Sequence, residues 1–186
     1  MEKKLNVAVL IGSLRKQSYN RQLAGVLAKM AAPALTLTIA EIGDLPFYND
    51  ELETTVPASW QAIRQRIADA DAVLFLTPEY NRSVPAVLKN AVDVLSRPYG
   101  KSALTAKPAA VISTSPGALG GFGANHHLRQ SLVCLGVNTM PAPEAYIGGV
   151  AALFDDQGNL IDENTREFLL KFMQSFEQWI AMTGKR

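Results

Sequence analysis

Several side chains that can bind a phosphate follow the first apolar run of the sequence. They are Ser13, Arg15, Ser18 and Asn20, and they come directly after Gly12. Hydroxyl and amide groups donate hydrogen bonds to a phosphate, and an arginine adds a fixed positive fork. A helix that begins near Ser18 or Tyr19 would direct its free N–H groups and its positive end toward the same place. This segment therefore predicts a binding seat for a phosphomonoester.

The spacing excludes two commoner phosphate-binding loops. A P-loop requires G-x-x-x-x-G-K-[ST], and a dinucleotide-binding turn requires G-x-G-x-x-G. Gly12 is the only glycine between Leu5 and Asn20, so side chains must supply much of the binding. An alternative is that Ser18 only caps the helix and Arg15 lies in solvent.

The composition is typical of one globular domain, here residues 1–186. The sequence has 48% hydrophobic and 19% charged residues. Its net charge of +1, without blocks of like charge, argues against a nucleic-acid partner. No run of about 18 apolar residues is present, so a membrane segment is not expected. The single cysteine, Cys134, excludes an internal disulfide and favours the reducing cytoplasm, and its apolar surroundings predict a core position.

Strand and helix patterns alternate along the chain without a linker or a repeat. Leu5–Ile11 is almost continuously apolar, as expected for a strand covered on both faces. Further strands are predicted over residues 36–42, 72–77, 108–113 and 137–140, and helices over 20–30, 59–70, 85–95, 125–135 and 164–182. The alternation predicts an α/β fold with a five-stranded parallel sheet of order 2-1-3-4-5 between two helical layers. A ligand is expected at the switch point between strands 1 and 3, beyond their carboxyl ends.

The segments after strands 3 and 4 should border the same crevice. Pro78 and Pro85 stiffen the first segment, in which Tyr80 and Asn81 offer an aromatic ring and an amide that suit a flat ligand. The second segment, SPGALGGFG, contains Gly117, Gly120, Gly121 and Gly123. Glycines let the main chain approach a ligand and present N–H donors to it. We therefore expect three loops to converge on one aromatic ligand.

At these loops the sequence resembles the NADPH-dependent FMN reductase family, flavodoxin-like enzymes that include bacterial quinone and chromate reductases. The motifs that carry the resemblance are GSLRKQSYN, TPEYNRSVPAVLKNAVD and SPGALGG. The resemblance implies that the FMN phosphate is held by Ser13, Arg15, Ser18 and Asn20, with Tyr19 also in the cofactor site. It further implies that the isoalloxazine ring lies along Pro78, Glu79, Tyr80 and Asn81, and that its pyrimidine edge meets Ser115 and Gly117.

The same resemblance implies an oxidoreductase. NADPH or NADH would pass hydride to FMN, and two electrons would go on to a quinone or to an anionic acceptor such as chromate. No side chain is expected to act as an acid or a base, and Glu79 is expected to serve backbone placement. Arg82, Arg97 and Lys101 are expected at the crevice mouth, where they would attract anions. The family assembles as dimers or tetramers, so a homodimer or a homotetramer is expected.

The sequence leaves two other functions open. A flavodoxin-like electron carrier would bind FMN without a pyridine nucleotide site, but such carriers are usually strongly acidic, unlike this chain. A flavin-bearing regulatory protein would use the segment from Tyr146 to Phe154 as its partner surface. No metal site is predicted, because His126 and His127 lack further ligands nearby, and we expect both at the surface or at a subunit contact.

Overall fold

A parallel sheet forms the centre of the protein. The computed structural model describes residues 4–31 and 34–184. The described strands are β1 (Leu5–Ile11), β2 (Leu35–Ile39), β3 (Ala72–Pro78), β4 (Pro108–Thr114), β5 (Asn138–Thr139) and β6 (Ala145–Ile147). The order is β2-β1-β3-β4-β5 and these pairings are parallel, so the predicted topology is confirmed.

The short strand β6 was not predicted. It pairs in parallel with the carboxyl end of β4, where Tyr146 lies opposite Ser113. A strand of three residues is too short to show a recognisable alternation of apolar and polar side chains. The pairing brings the chain after β5 to the carboxyl end of the sheet, where the ligand is expected.

Helices cover both faces of the sheet. They are α1 (Tyr19–Ala31), α2 (Ala58–Asp69), α3 (Ala86–Leu95), α4 (Phe122–Cys134) and α5 (Glu163–Thr183). One apolar core joins α1 and α5 to the sheet through Leu27 and Phe172, and the other joins α2, α3 and α4 through Trp60, Leu88 and Leu128. The three predicted layers are therefore present. None of the described helices is long and apolar enough to cross a membrane.

Strand β1 explains why the first apolar run is nearly continuous. Val7 and Val9 belong to the core on the α1 side, whereas Ala8 and Leu10 belong to the core on the α2 side. A strand that is covered on both faces favours apolar side chains at successive positions instead of an alternating pattern. The chain therefore leaves the buried sheet only at Gly12, and the polar residues that follow lie at its carboxyl edge.

Two expectations about single segments were wrong. Strand β2 ends at Ile39, and the following Ala40 and Ile42 are buried in a loop that packs on the α2 side. Cys134 is exposed instead of lying in the core. Leu132 faces the core, and two residues later an α-helix has turned by roughly 200°, which carries Cys134 to the opposite side.

Candidate functional site

A cavity lies where the chain leaves the carboxyl ends of β1, β3 and β4. Its volume is about 240 Å³. It is lined by Ser13, Arg15, Ser18, Tyr19, Asn20, Pro78, Glu79, Tyr80, Thr114, Ser115 and Pro116. The three loops expected at the switch point thus surround one space. Asn81 and Gly117, which were also predicted for the site, adjoin the lining residues without being among them.

The loop between β1 and α1 contributes buried polar side chains and one exposed cation. Ser13, Ser18 and Asn20 are almost fully buried, whereas Arg15 is exposed. The hydroxyl of Ser18 accepts a hydrogen bond from the backbone N–H of Arg21 at 3.2 Å. Ser18 therefore caps α1 in addition to lining the cavity. Within the described chain, the guanidinium of Arg15 has no hydrogen-bond or ion-pair partner.

The first turn of α1 leaves further polar groups without partners. Asn20 Oδ1 is buried and has no hydrogen-bond partner among the described residues. The backbone N–H groups of Tyr19 and Asn20 likewise have no acceptor among the residues that the structure describes. Rotation of the Asn20 amide exchanges its oxygen and its NH₂ group, so this side chain can also present donors. Unpaired N–H groups at the positive end of a helix, beside a free guanidinium, suit a phosphate group.

Gly12 allows the loops after β1 and β3 to meet. A Cβ atom at this position would lie 3.1 Å from Pro78 Cδ and 3.2 Å from Leu88 Cδ2. The backbone N–H of Gly12 donates to the carbonyl oxygen of Leu76 at 2.8 Å. A larger residue would therefore press against Pro78 and separate two walls of the cavity.

The residues after β3 form one wall of the cavity, and they continue into a tight turn. The backbone N–H groups of Tyr80 and Ser83 each donate to the carbonyl oxygen of the other residue at 3.0 Å. The central residues, Asn81 and Arg82, have φ angles of 50° and 65°. Asparagine tolerates this left-handed region, whereas arginine rarely adopts it. Non-glycine residues in this region are concentrated at functional sites, where the surrounding structure holds them in place.

The glycine loop after β4 packs mainly against the protein itself. A Cβ atom at Gly120 would lie 2.5 Å from the carbonyl carbon of Tyr146, and one at Gly148 would lie 2.4 Å from the carbonyl oxygen of Ala118. The loop therefore lies backbone to backbone on residues 146–149. The ligand role that we expected for the four glycines of this loop stays a prediction, but packing within the protein already requires glycine at positions 120, 121 and 123. Their missing side chains make room for Tyr146, Ser113 and Arg82 respectively.

Comparison with known proteins decides between the alternatives that the geometry leaves open. Residues 5–152 match the sequence profile of the NADPH-dependent FMN reductases. The chain belongs to this family. The match includes all three loops that surround the cavity.

Relatives of this NADPH-dependent FMN reductase are similar over nearly their whole length. A quinone reductase from Pseudomonas putida is 56% identical over 183 residues, which cover 98% of each chain. A 2-hydroxy-1,4-benzoquinone reductase from a Burkholderia species is 44% identical, with 95% of this chain and 96% of the relative covered. Among solved structures, the flavoenzyme NAD(P)H:(acceptor) oxidoreductase FerB from Paracoccus denitrificans superposes with a TM-score of 0.92 at 45% identity, covering 97% of this chain and 100% of that chain.

Two of the three cations predicted for the crevice mouth of this family member lie elsewhere. Lys101 lines a separate cavity with Leu5, Asp71 and Pro108, at the amino-terminal ends of the strands. A strand of seven residues spans about 20 Å, so this edge is far from the carboxyl-terminal crevice. Arg97 follows the far end of α3, about 15 Å from the end that starts at the crevice. Its guanidinium lies 5.6 Å from the ring centre of Tyr48.

The remaining predicted cation, Arg82, lies in the tight turn next to the cavity. Its side chain is 76% exposed, and Nη1 is 3.2 Å from Glu79 Oε1. Arg82 is therefore the member of the predicted group that adjoins the crevice. The prediction was wrong for Arg97 and Lys101, because α3 runs antiparallel to the strands and returns the chain to the opposite edge of the sheet.

The two histidines of α4 make different contacts. His126 Nε2 is 2.8 Å from the hydroxyl of Tyr146, and His127 Nδ1 is 3.0 Å from the hydroxyl of Ser83. Burial, followed by a hydrogen bond with Glu144, raises the pKa of Tyr146 to about 12, so this hydroxyl stays protonated. In the described part of the chain, no three His, Cys, Asp or Glu side chains are grouped so that they could hold a metal ion.

Sequence reasoning missed two lining residues and one contact. Thr114 and Pro116 line the cavity on either side of Ser115, and their place directly after a buried strand was the available signal. The carboxylate of Glu79 accepts a hydrogen bond from the backbone N–H of Ala124 at 3.1 Å. The two residues are separated by 45 positions in the chain, so no local pattern indicates the contact.

Proposed function

We propose that FMN binds in the cavity, with its phosphate at the loop between β1 and α1. The observation that carries this proposal is the set of unpaired polar groups at the start of α1, beside the free guanidinium of Arg15. Ser13, Arg15, Ser18, Tyr19 and Asn20 would hold the phosphate end of the cofactor. Arg15 would supply the positive charge, and the helix N–H groups would supply uncharged donors.

The isoalloxazine ring would lie between the other two loops. Pro78, Glu79, Tyr80 and Asn81 would border one side of it, and Ser115 with the Gly117 region would border its pyrimidine edge. Tyr80 is 49% exposed, which leaves its ring free to contact a flat ligand. The absence of a side chain at Gly12 supports this arrangement, because it lets the phosphate-binding loop and the ring-binding loop lie close together.

Bound FMN would accept hydride from NADPH or NADH and return two electrons to an acceptor. The residues of the chain would bind the cofactor and orient it, which is their main contribution to the rate. Both oxygens of the Glu79 carboxylate are already hydrogen-bonded within the protein. We therefore assign no proton-transfer step to Glu79 or to any other side chain of the cavity.

We propose that the acceptor is a quinone. The names of the relatives from Pseudomonas putida and Burkholderia support this class of substrate. An anionic acceptor such as chromate has less support, because Arg97 and Lys101 lie away from the cavity. Arg82 and Arg15 are the cations that adjoin it.

The absorbance spectrum of the purified protein tests the proposal. We expect a yellow protein whose flavin absorbance bleaches when NADPH or NADH is added without oxygen, and returns when a benzoquinone follows. A protein that binds FMN but does not bleach with either nucleotide would instead be an electron carrier or a regulatory flavoprotein. A protein that does not retain FMN would refute the assignment of the cavity.

We further propose that residues 1–186 form one FMN-binding domain, that it assembles as a homodimer or a homotetramer, and that it is cytoplasmic. Leu119 and Phe122, which follow β4, are apolar and more than half exposed, which supports a contact with a second copy. Arg129 does not support this contact, because its guanidinium bonds within its own chain, to Asn125 Oδ1 and the carbonyl oxygen of Met140. Sedimentation velocity at several concentrations tests the assembly, and a monomer throughout would contradict it.

A further inference from the structure

The tight turn of residues 80–83 is held against the start of α4 by three contacts. Gly123 lies directly under the turn, since a Cβ atom there would be 2.7 Å from the carbonyl oxygen of Arg82. The hydroxyl of Ser83 lies 3.0 Å from His127 Nδ1. The third contact is the hydrogen bond from the N–H of Ala124 to Glu79 Oε2. The turn and the helix therefore form one packed unit.

Glu79 caps a helix that has no capping side chain of its own. The residue before α4 is Gly121, which makes no side-chain hydrogen bond to the helix. The first N–H groups of a helix need acceptors, and a carboxylate is the most favourable acceptor at its positive end. Glu79 supplies that acceptor from a different segment of the chain. Its other oxygen accepts from Arg82 Nη1 at 3.2 Å, so the same carboxylate also binds the turn.

The carboxylate of Glu79 is not free to act on a ligand. Its side chain is 11% exposed, and each oxygen has a partner in the protein. Glu79 nevertheless lines the cavity, between Pro78 and Tyr80. Glu79 therefore affects the cavity through the position of its backbone, which the bonds of its carboxylate fix relative to α4.

We propose that Glu79 is a positioning residue for the oxidoreductase reaction. By capping α4 it holds the turn with Asn81 and Arg82 in its left-handed conformation, and so fixes where Tyr80 and Asn81 lie beside the bound flavin and its substrates. The inference rests on the proposed FMN site. Without the Glu79 carboxylate, the start of the turn is no longer tied to α4 against the strain of its left-handed residues, and the wall of the cavity at Tyr80 and Asn81 shifts.

Three variants separate positioning from other roles. Glu79→Ala removes both contacts of the carboxylate. Glu79→Gln keeps an amide oxygen that can accept from the N–H of Ala124 but removes the charge that pairs with Arg82. Lys89→Ala is the matched control, because it removes an exposed ion pair, with Asp93 on α3, and Lys89 does not line the cavity. Each holoprotein is assayed for FMN affinity, thermal stability, and the steady-state rates with NADPH and a benzoquinone.

We expect Glu79→Ala to lower kcat/KM for the quinone by about tenfold to a hundredfold, as misplacement of a substrate-contacting wall does. Glu79→Gln should recover to within about threefold of the wild type, and Lys89→Ala should stay near it. If Gln is as slow as Ala and one limb of the pH–rate profile disappears, Glu79 is an acid or a base and the proposal is wrong. If Ala lowers only the unfolding temperature, the role is merely structural and the proposal is again wrong.

Gly123→Ala perturbs the same turn from α4. It provides a second test of the proposal if Glu79→Ala does not fold. The added Cβ would lie 2.7 Å from the carbonyl oxygen of Arg82 and 3.0 Å from Glu79 Oε2, so it would disturb the turn and its cap together, and its loss of kcat/KM should follow the same pattern. Wild-type kinetics for Gly123→Ala would overturn the proposal. Failure of the proposed function can be distinguished from failure of this proposal, because the wild-type protein itself would then lack FMN or would not reduce the quinone.

Discussion

Replacing Arg15 by alanine is expected to weaken FMN binding without unfolding the protein. The side chain is exposed and has no partner in the described chain, so its removal breaks no contact that holds the fold. It lines the cavity with Ser13 and Ser18 and is the one cation among the described lining residues. A charge-assisted hydrogen bond contributes about 2–3 kcal/mol, so FMN affinity should fall by about 30- to 150-fold.

The assay is a titration of each apoprotein with FMN, followed by the quenching of flavin fluorescence. Lys16→Ala is the matched control, because Lys16 is an exposed cation next to Arg15 that does not line the cavity. Both variants should unfold at the wild-type temperature, and only Arg15→Ala should lose part of the salt dependence of binding. An affinity for FMN within about threefold of the wild type, a difference of roughly 0.6 kcal/mol, would refute the phosphate assignment.

Three further predictions follow from the site and the fold. Initial rates against NADPH at several quinone concentrations should give parallel double-reciprocal lines, because donor and acceptor would use one flavin face in turn, and intersecting lines would require a second pocket. Neutralising Arg97 and Lys101 together should leave kcat/KM for chromate and its salt dependence unchanged, since charges act over only about 8 Å at physiological salt. A loss specific to chromate would contradict their placement. Replacing the buried Asn90 by leucine should lower the free energy of unfolding by about 2–3 kcal/mol, because it leaves the N–H of Tyr48 and the carbonyl oxygen of Leu45 unpaired, and an unchanged urea midpoint would contradict this.

The topology could be predicted because the strands and helices carry strong patterns. A strand covered on both faces, such as β1, is apolar at every inner position, and its short length and the glycine after it favour a strand over a buried helix. The alternation of such strands with helices then leaves few arrangements of the sheet. Strand β6 was missed because its two buried residues, Ala145 and Ile147, owe their burial to pairing with β4.

The site was predictable where a loop directly follows a strand and unpredictable where it depends on distant contacts. Ser13, Tyr80 and Ser115 line the cavity because parallel strands end at one edge. Charged loop residues have no periodicity, so Lys101 could be assigned to the wrong edge of the sheet. The capping of α4 by Glu79 joins segments far apart in the chain, and only the folded structure brings them together.

The backbone contacts of the glycine loop divide the rim of the cavity into a part that can vary and a part that cannot. Gly120 and Gly148 have no space for a Cβ atom, so nearly every substitution there would move main chain. Leu14, Lys16 and Gln17 are exposed on the loop between β1 and α1, where a new side chain meets solvent. A library designed to keep the fold should therefore vary these exposed positions and leave the glycine loop intact. Natural divergence among relatives would be concentrated on the same side of the cavity.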